Sequence, residues 1–295
     1  MKKIVISILL VAIVIAPQII SGATFIQVKG SDTEVNVVQR LAENFMKKNP
    51  NYSIAVTGGG SGVGVAAIIN KTTDLANSSR PMKDSEIAKA KANGVNPIGV
   101  AFAVDGLSVI VNQKNPVKIL TVDQVGQIYR GELSNWKQAG GSDVPITLYG
   151  RQPNSGTFVF FREGVVRGDY SNKMNQMNGN AQILEAVKKD PGGIGYVGIG
   201  YVLDDRGNIA PGIQVLDIAK DSRSKAFSPL QLENILSGNY PITRPLYQYF
   251  DGNNRAKVEA FIKYELSPEG VAIIKMDGFY PLTDQWKKHN AQFGF

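Results

Sequence analysis

Four short segments of this 295-residue chain combine small residues with hydroxyl or guanidinium groups. They cover residues 30–33, 58–64, 78–80 and 151–157, and each follows a strand-like run and precedes a helix-like pattern. Serine and threonine hydroxyls are neutral hydrogen-bond donors, and the planar arginine fork matches the oxygens of phosphate-like groups. These residue types in such turns indicate an oxyanion-binding site.

The elements around these segments predict an α/β fold. Strand patterns alternate with helical patterns along the first part of the chain, with strands at 25–29, 53–57 and 75–77 and helices at 34–48, 65–71 and 84–93. In an open α/β sheet, ligands bind at the carboxyl ends of the strands, where helix N-termini present unpaired backbone N–H groups. We therefore expect the four segments to converge at such an edge.

Each segment also has a purely structural interpretation. Residues 58–64 could be a tight turn, since they lack the Gly-Lys-Ser/Thr of a P-loop, and Val63 rules out a nucleophile elbow. Residues 155–157 could cap a helix, and Asp32 alone is more typical of a helix cap than of a ligand. The arginines could form surface ion pairs. Only the combination of segments favours an oxyanion site.

Composition narrows the chemistry further. The chain has no cysteine, which excludes disulfides, thiolate metal sites and cysteine nucleophiles. Its single histidine, His289, stands in a polar C-terminal stretch where we expect it to be solvated, and a Ser-His-Asp triad would depend on it. The net charge of +7 suits an anion-binding protein or a nucleic-acid binder, but no basic stripe with interleaved aromatic residues is present.

The N-terminal 23 residues predict export. Two lysines precede an apolar run over residues 4–16, and residues 21–23 are small, as at a signal-peptide cleavage site. The run is short for an ordinary membrane span, and Pro17 interrupts it. A retained N-terminal anchor is the alternative. We expect the protein to be exported, either to a periplasm or to the outer face of the cytoplasmic membrane.

Taken in order, the segments resemble the substrate-binding proteins of phosphate-specific ABC importers. The matching pieces are Gly30-Ser31-Asp32-Thr33, Gly60-Ser61-Gly62, the run 74–81, Arg151 with Ser155-Gly156-Thr157, and the run 193–197. The resemblance covers nearly the whole chain after the predicted signal peptide.

The resemblance implies an α/β, two-lobed, periplasmic-binding-protein-like (type II) fold with two crossing strands and a ligand cleft between the lobes. Lobe 1 would comprise residues 24–106 and 245–295, and lobe 2 residues 107–244. We predict flexible crossings near residues 104–106 and 244–246.

The resemblance also implies the function. The protein would capture inorganic phosphate and present it to the membrane permease subunits of an importer, without chemistry. We expect a monomer with no cofactor and no nucleic-acid partner.

The resemblance assigns most of the phosphate ligands, and the third segment adds two more. The predicted ligand residues are Ser31, Asp32, Thr33, Ser61, Ser79, Arg80, Arg151, Ser155, Gly156 and Thr157.

One position departs from the best-known branch of the family. That branch has an aspartate where this chain has Ser79, and the aspartate accepts the phosphate proton and so rejects sulfate. We hypothesise that Asp32 replaces it as the acceptor, held ionised by Arg80 or Arg151.

Three rival functions remain at this stage. The same fold could carry sulfate, molybdate or tungstate. A secreted phosphatase or esterase could use Ser61 or Ser155, although a triad histidine and a convincing metal-carboxylate cluster are lacking. A nucleic-acid binder is suggested only by the basic charge, and export argues against it.

Overall fold

The structure is a computed structural model that describes residues 22–204 and 206–295. Most of the predicted signal peptide, residues 1–23, therefore lies outside the described residues. No helix in the part that the structure describes is long and apolar enough to cross a membrane.

The described residues alternate between strands and helices, as predicted. The strands are β1 Thr24–Gly30, β2 Tyr52–Thr57, β3 Leu75–Ser78, β4 Pro97–Gly106, β5 Ser108–Asn112, β6 Ile119–Thr121, β7 Thr147–Arg151, β8 Asn175–Met177, β9 Gly193–Val197, β10 Ile213–Val215, β11 Asp217–Ala219, β12 Ala226–Phe227 and β13 Thr243–Asp251. The helices are α1 Val35–Lys48, α2 Ser61–Ile69, α3 Asp84–Ala92, α4 Val122–Arg130, α5 Gly156–Phe161, α6 Asn180–Lys189, α7 Leu232–Leu236, α8 Arg255–Glu265, α9 Pro268–Met276 and α10 Asp284–Ala291.

Two five-stranded sheets define two lobes, which confirms the predicted fold class. The sheet of lobe 1 has the order β2-β1-β3-β13-β4, and the sheet of lobe 2 has the order β10-β5-β9-β7-β8. Strands β1, β2 and β3 run parallel, so their carboxyl ends lie at one edge of the lobe 1 sheet. A smaller sheet of β12, β11 and β6 accompanies lobe 2.

The chain crosses between the lobes at two adjacent places. Strand β4 of lobe 1 is separated from β5 of lobe 2 by Leu107 alone, whose amide donates to the Ile242 carbonyl at 2.9 Å. On the return, β13 pairs antiparallel with β4 along its length, and Arg244 lies opposite Asp105. The dipeptide Asp105-Gly106 is typical of a turn, but both residues continue β4 as paired strand.

Apolar periodicity explains the helix that opens lobe 1. Helix α1 buries Val37, Val38, Leu41, Ala42 and Phe45 on one face, at the spacing expected of an amphipathic helix. Its N-cap residue is Glu34, without a side-chain cap hydrogen bond, so neither Asp32 nor Thr33 caps this helix, although both residue types are common caps. Both side chains are thereby available at the end of β1.

The glycine-rich segment is more helical than predicted. Helix α2 begins at Ser61, whereas the sequence pattern placed its start at residue 65. Glycine at residues 62 and 64 has low intrinsic helix propensity, so the sequence pattern does not predict the first turn of α2. Gly64 is needed there, because a Cβ would lie 2.5 Å from the Lys29 carbonyl oxygen of β1. The tertiary packing of α2 on β1 therefore overrides local propensity.

Candidate functional site

Three predicted serines of lobe 1 lie together at the carboxyl edge of the parallel strands. Ser31 follows β1, Ser61 begins α2 after β2, and Ser79 follows β3. The Ser31 amide donates to the Asn77 carbonyl at 2.9 Å, which ties the first segment to β3, the strand that leads into the third. All three serines are buried. The strand order therefore brings these three sequence segments to one place.

Four hydroxyl groups form a continuous buried chain, which we call the hydroxyl cluster: Thr33, Ser61, Ser79 and Thr157. The Ser61 and Ser79 oxygens are 3.2 Å apart, Ser79 and Thr157 3.4 Å, and Thr157 and Thr33 3.1 Å. None of the four side chains is more than 1% exposed. Thr157 belongs to lobe 2, so the cluster spans the two lobes.

The fourth segment reaches the cluster through a small residue. Ser155 caps α5, since its hydroxyl oxygen accepts hydrogen bonds from the amides of Thr157 at 3.2 Å and Phe158 at 3.4 Å. At Gly156, an added Cβ would lie 2.3 Å from the Ser61 hydroxyl oxygen and 2.9 Å from that of Ser79. Glycine is therefore required for this approach of the lobes.

Arg151 and Asp32 form an ion pair across the lobe interface. The Arg151 side chain is 2% exposed, and its Nη2 donates to the Asp32 carboxylate and, at 2.9 Å, to the Asn178 carbonyl. The second Asp32 oxygen accepts from the Gly59 amide at 2.8 Å. The structure thus brings Asp32 and Arg151 together, which is the contact that the selectivity hypothesis requires of Arg151.

Further contacts join the two lobes beside this pair. The Gly62 amide donates to the Asn154 carbonyl at 2.9 Å, and the Asn154 side chain donates to the Gly59 carbonyl at 3.0 Å. The Tyr201 hydroxyl donates to the Asp32 carbonyl at 2.6 Å. Burial and the nearby Asp32 carboxylate raise the pKa of Tyr201 to about 12, so it remains a donor at neutral pH.

Arg80 forms an ion pair with a different residue from the one that the sequence suggested. Its Nη1 and Nη2 donate to the Glu86 carboxylate at 2.8 and 2.7 Å, and Nη1 also donates to the Pro81 carbonyl. Although burial opposes ionisation of Glu86, the hydrogen bonds from Arg80 and the Lys83 amide lower the pKa of its carboxyl below the usual value. Arg80 therefore anchors the start of α3, and its guanidinium does not contact the hydroxyl cluster or Asp32.

Arg244 is a residue near the site that sequence analysis missed. Its place in the sequence predicts only part of a crossing, yet its Nη1 donates to the Ser79 carbonyl at 3.1 Å and its Nη2 lies 3.5 Å from the Thr33 hydroxyl oxygen. Its charge is balanced by Asp105, at 2.8 Å. An arginine beside prolines in an otherwise apolar and aromatic strand was the available signal.

A second carboxyl group lies directly after the first segment. Glu34 is 0% exposed, and burial raises the pKa of its carboxyl well above the usual value. An ionised Glu34 would add negative charge beneath an anion site, so the neutral form favours anion binding.

His289 departs from the solvated position expected for it. Its ring is half-buried on α10, where Nε2 lies 2.9 Å from the Gly99 carbonyl oxygen and the ring packs against Trp286 and Phe293. This histidine is engaged in lobe 1 packing, and neither ring nitrogen contacts Ser61 or Ser155.

The two sheets, the double crossing and the buried polar cluster between the lobes define the class of two-lobed substrate-binding proteins. A family model described as a PBP superfamily domain matches residues 18–269. A phosphate-binding protein PstS from Pseudomonas aeruginosa is 31% identical over 271 residues, which cover 86% of this chain and 81% of the relative.

Solved structures agree with this match. A putative phosphate ABC transporter substrate-binding protein with bound phosphate from Clostridium perfringens is 28% identical, with a TM-score of 0.76 over 88% of this chain and 100% of that one. An ABC-type phosphate transport receptor from Vibrio cholerae is 26% identical, with a TM-score of 0.69 over 87% of this chain and 100% of that one. The chain belongs to the PstS family of phosphate-binding proteins within the PBP superfamily.

Proposed function

We propose that this protein captures inorganic phosphate between its two lobes and presents it to the permease subunits of an ABC importer. The observation that carries the proposal is the hydroxyl cluster, in which buried donors from both lobes meet, together with the Arg151–Asp32 pair across the same interface. Phosphate is the ligand named for the relatives. The proposed event is binding without chemistry.

The proposed ligand set has donors of three kinds. The hydroxyls of Ser31 and of the hydroxyl cluster are neutral donors, Arg151 supplies charge, and backbone amides at the starts of α1, α2 and α5 add fixed dipoles. In this proposal, Ser155 holds α5 in place, Gly156 allows the approach of the lobes, and Arg80 lies outside the ligand shell.

Phosphate would stabilise the closed arrangement of the lobes. A ligand that bridges donors from both lobes binds that arrangement more tightly than an open one, and so it shifts the population toward closure. The importer would recognise the closed form. We further propose that the protein acts outside the cytoplasm as a monomer, and that lobe 2 comprises residues 107–244.

Asp32 is the proposed acceptor for the phosphate proton. It occupies the first segment beside Arg151, and a carboxylate acceptor would penalise sulfate, which has no proton to donate at neutral pH. In this proposal the hydrogen bonds that Arg151 and the Gly59 amide donate to Asp32 hold its carboxylate in position.

Calorimetric titration with phosphate, arsenate, sulfate and molybdate tests the proposal. We expect one phosphate per chain, with sulfate and molybdate at least about a hundredfold weaker. Tighter binding of sulfate or molybdate than of phosphate would overturn the assignment of cargo, as would no binding of phosphate. Turnover of a chromogenic phosphate ester would indicate an enzyme instead.

The variant Asp32→Asn tests the selectivity step in the same assay. We expect sulfate to compete with phosphate in this variant, because the amide no longer repels an unprotonated anion. If the variant still rejects sulfate as the wild type does, Asp32 only links the lobes.

A further inference from the structure

The two crossing strands carry a buried ion pair at the junction of the lobes. Arg244 on β13 lies opposite Asp105 on β4, and its Nε and Nη2 donate to the same Asp105 oxygen at 3.0 and 2.8 Å. Their side chains are 2% and 0% exposed. Removing either partner would leave a buried charge without compensation, which is far more costly than losing a surface pair.

On the side of lobe 1, Arg244 contacts two elements of the site. Its Nη1 donates to the Ser79 carbonyl at 3.1 Å, and its Nη2 lies 3.5 Å from the Thr33 hydroxyl oxygen. Because a guanidinium only donates, the Thr33 oxygen is the acceptor and its own O–H remains directed elsewhere. Arg244 therefore orients one hydroxyl of the cluster and holds the backbone that carries another.

On the side of lobe 2, the same pair makes two contacts. The second Asp105 oxygen accepts from the Ile199 amide at 2.9 Å, and the Arg244 guanidinium lies 5.2 Å from the centroid of the Phe160 ring on α5. Space here is tight, since a Cβ at Gly198 would lie 2.7 Å from the Thr33 Cγ2. A movement of lobe 2 relative to the crossing strands would change these contacts.

We propose that Arg244 is a positioning residue of the phosphate site, acting with Asp105 to align the lobe 1 donors at Thr33 and Ser79 with lobe 2 as the lobes close. The inference rests on the proposed function. Arg244 acts through Thr33 and Ser79 rather than through a contact with the anion, because its three guanidinium nitrogens are already engaged by Asp105, the Ser79 carbonyl and the Thr33 hydroxyl.

Conservative variants at the two positions test this inference. In Arg244→Lys, one ammonium group cannot reach Asp105, the Ser79 carbonyl and Thr33 at once, as the planar fork does. Asp105→Asn removes the charge from the other strand. We expect each to weaken phosphate binding by at least about tenfold in calorimetric titration.

Arg80→Lys is the matched control. Arg80 is also buried and bidentate on a carboxylate, and it is the neighbour of Ser79, but its contacts stay within lobe 1. We expect this variant to bind phosphate within about threefold of the wild type. Thermal unfolding of the unliganded proteins measures the stability lost by each variant independently of binding.

The extent of lobe closure on phosphate binding can be measured directly. It would not change if Arg244 had a purely structural role. The chain has no cysteine, so Lys91→Cys on α3 and Lys173→Cys before β8, both exposed, permit a pair of distance probes, one in each lobe. We expect phosphate to shorten the distance in the wild type and to shorten it less in Arg244→Lys at saturation. If one variant fails to fold, the other carries the test.

The outcomes separate the two proposals. A wild type that does not bind phosphate contradicts the proposed function itself. A wild type that binds phosphate, with Arg244→Lys or Asp105→Asn destabilised but unchanged in affinity and closure, contradicts only the role of Arg244.

Discussion

Two buried arginines that looked alike in the sequence have different partners in the structure. Each stands in a small-residue turn directly at or after the end of a strand, and each binds a carboxylate. The partner of Arg80 is Glu86, six residues further along in lobe 1, whereas the partner of Arg151 is Asp32, across the lobe interface. The Arg80 pair can form in either arrangement of the lobes. The Arg151 pair requires the lobes to meet.

The difference shows what determines where a guanidinium lies. Glu86 occupies the N3 position of α3, where it also accepts from the Lys83 amide at 2.8 Å, so it is fixed close to Arg80 by the local chain. No acidic residue stands at a comparable distance after Arg151, and its guanidinium extends to Asp32 instead. An acid in the following helix start therefore distinguishes a structural arginine from a candidate ligand.

Replacing each arginine by alanine has the largest expected effect and tests directly whether the two have different roles. We expect Arg151→Ala to weaken phosphate binding by about 2–5 kcal/mol, because it removes the charged donor and leaves Asp32 without its partner. Arg80→Ala should leave the affinity close to that of the wild type, and lower the free energy of unfolding by about 1–3 kcal/mol. Calorimetric titration and denaturant unfolding of both variants give the two quantities. Equal losses of affinity would remove the distinction.

A glycine at the lobe interface and a glycine in open space test whether the lobes meet as closely in the phosphate-bound form. In Gly156→Ala, the added methyl would meet the Ser61 and Ser79 hydroxyls of the other lobe, so closure over phosphate should cost about 1–3 kcal/mol. Gly164, where nothing lies within 4 Å of an added Cβ, is the control, and Gly164→Ala should bind phosphate normally. The affinities of the two variants, with their melting temperatures, provide the check. Normal affinity in Gly156→Ala would mean that the lobes do not meet here in the bound form.

Two glutamates near these regions should make opposite contributions to the pH dependence of folding stability. This is the smallest expected effect. The pKa of the Glu34 carboxyl is raised by burial, so its contribution is most favourable below the unfolded value near 4.5 and is lost as the pH rises toward the folded value. The pKa of Glu86 is lowered by Arg80, so its contribution is present above about 4.5 and is lost as the pH falls.

Denaturant unfolding between pH 4 and pH 8 measures this contrast. We expect Glu34→Gln to gain stability relative to the wild type as the pH rises, by about 1.4 kcal/mol per pH unit until the folded pKa is reached. Glu86→Gln should be less stable than the wild type above about pH 4.5, and this difference should shrink as the pH falls below that value. A constant difference between Glu34→Gln and the wild type at every pH would contradict the raised pKa.

Much of the fold was accessible from the sequence because it follows from periodicity and turn chemistry. Helix α4 illustrates this: a threonine directly before a helical pattern is typical of an N-cap, and the Thr121 hydroxyl accepts from the Gln124 amide at 3.1 Å. The start of α2 was not accessible, because its glycines serve packing against β1 rather than helix propensity.

The parts of the candidate site that directly follow a strand could be predicted from the sequence. The parts that depend on contacts between distant residues could not. The convergence of Ser31, Ser61 and Ser79 follows from parallel strands sharing one edge. The role of Arg244 depends on the antiparallel register of two strands 139 residues apart, which no local pattern encodes. The side-chain direction of Arg80 depends on one local acid, Glu86, at the N3 position of α3.

A crystal structure of the protein grown with phosphate tests the central claim most directly. The account predicts one phosphate between the lobes, with its oxygens about 2.6–3.0 Å from hydroxyl oxygens of the cluster formed by Thr33, Ser61, Ser79 and Thr157 and from Arg151. It also predicts that the Arg80 guanidinium remains on Glu86. A phosphate bound outside this cluster, or held by one lobe alone, would contradict the account.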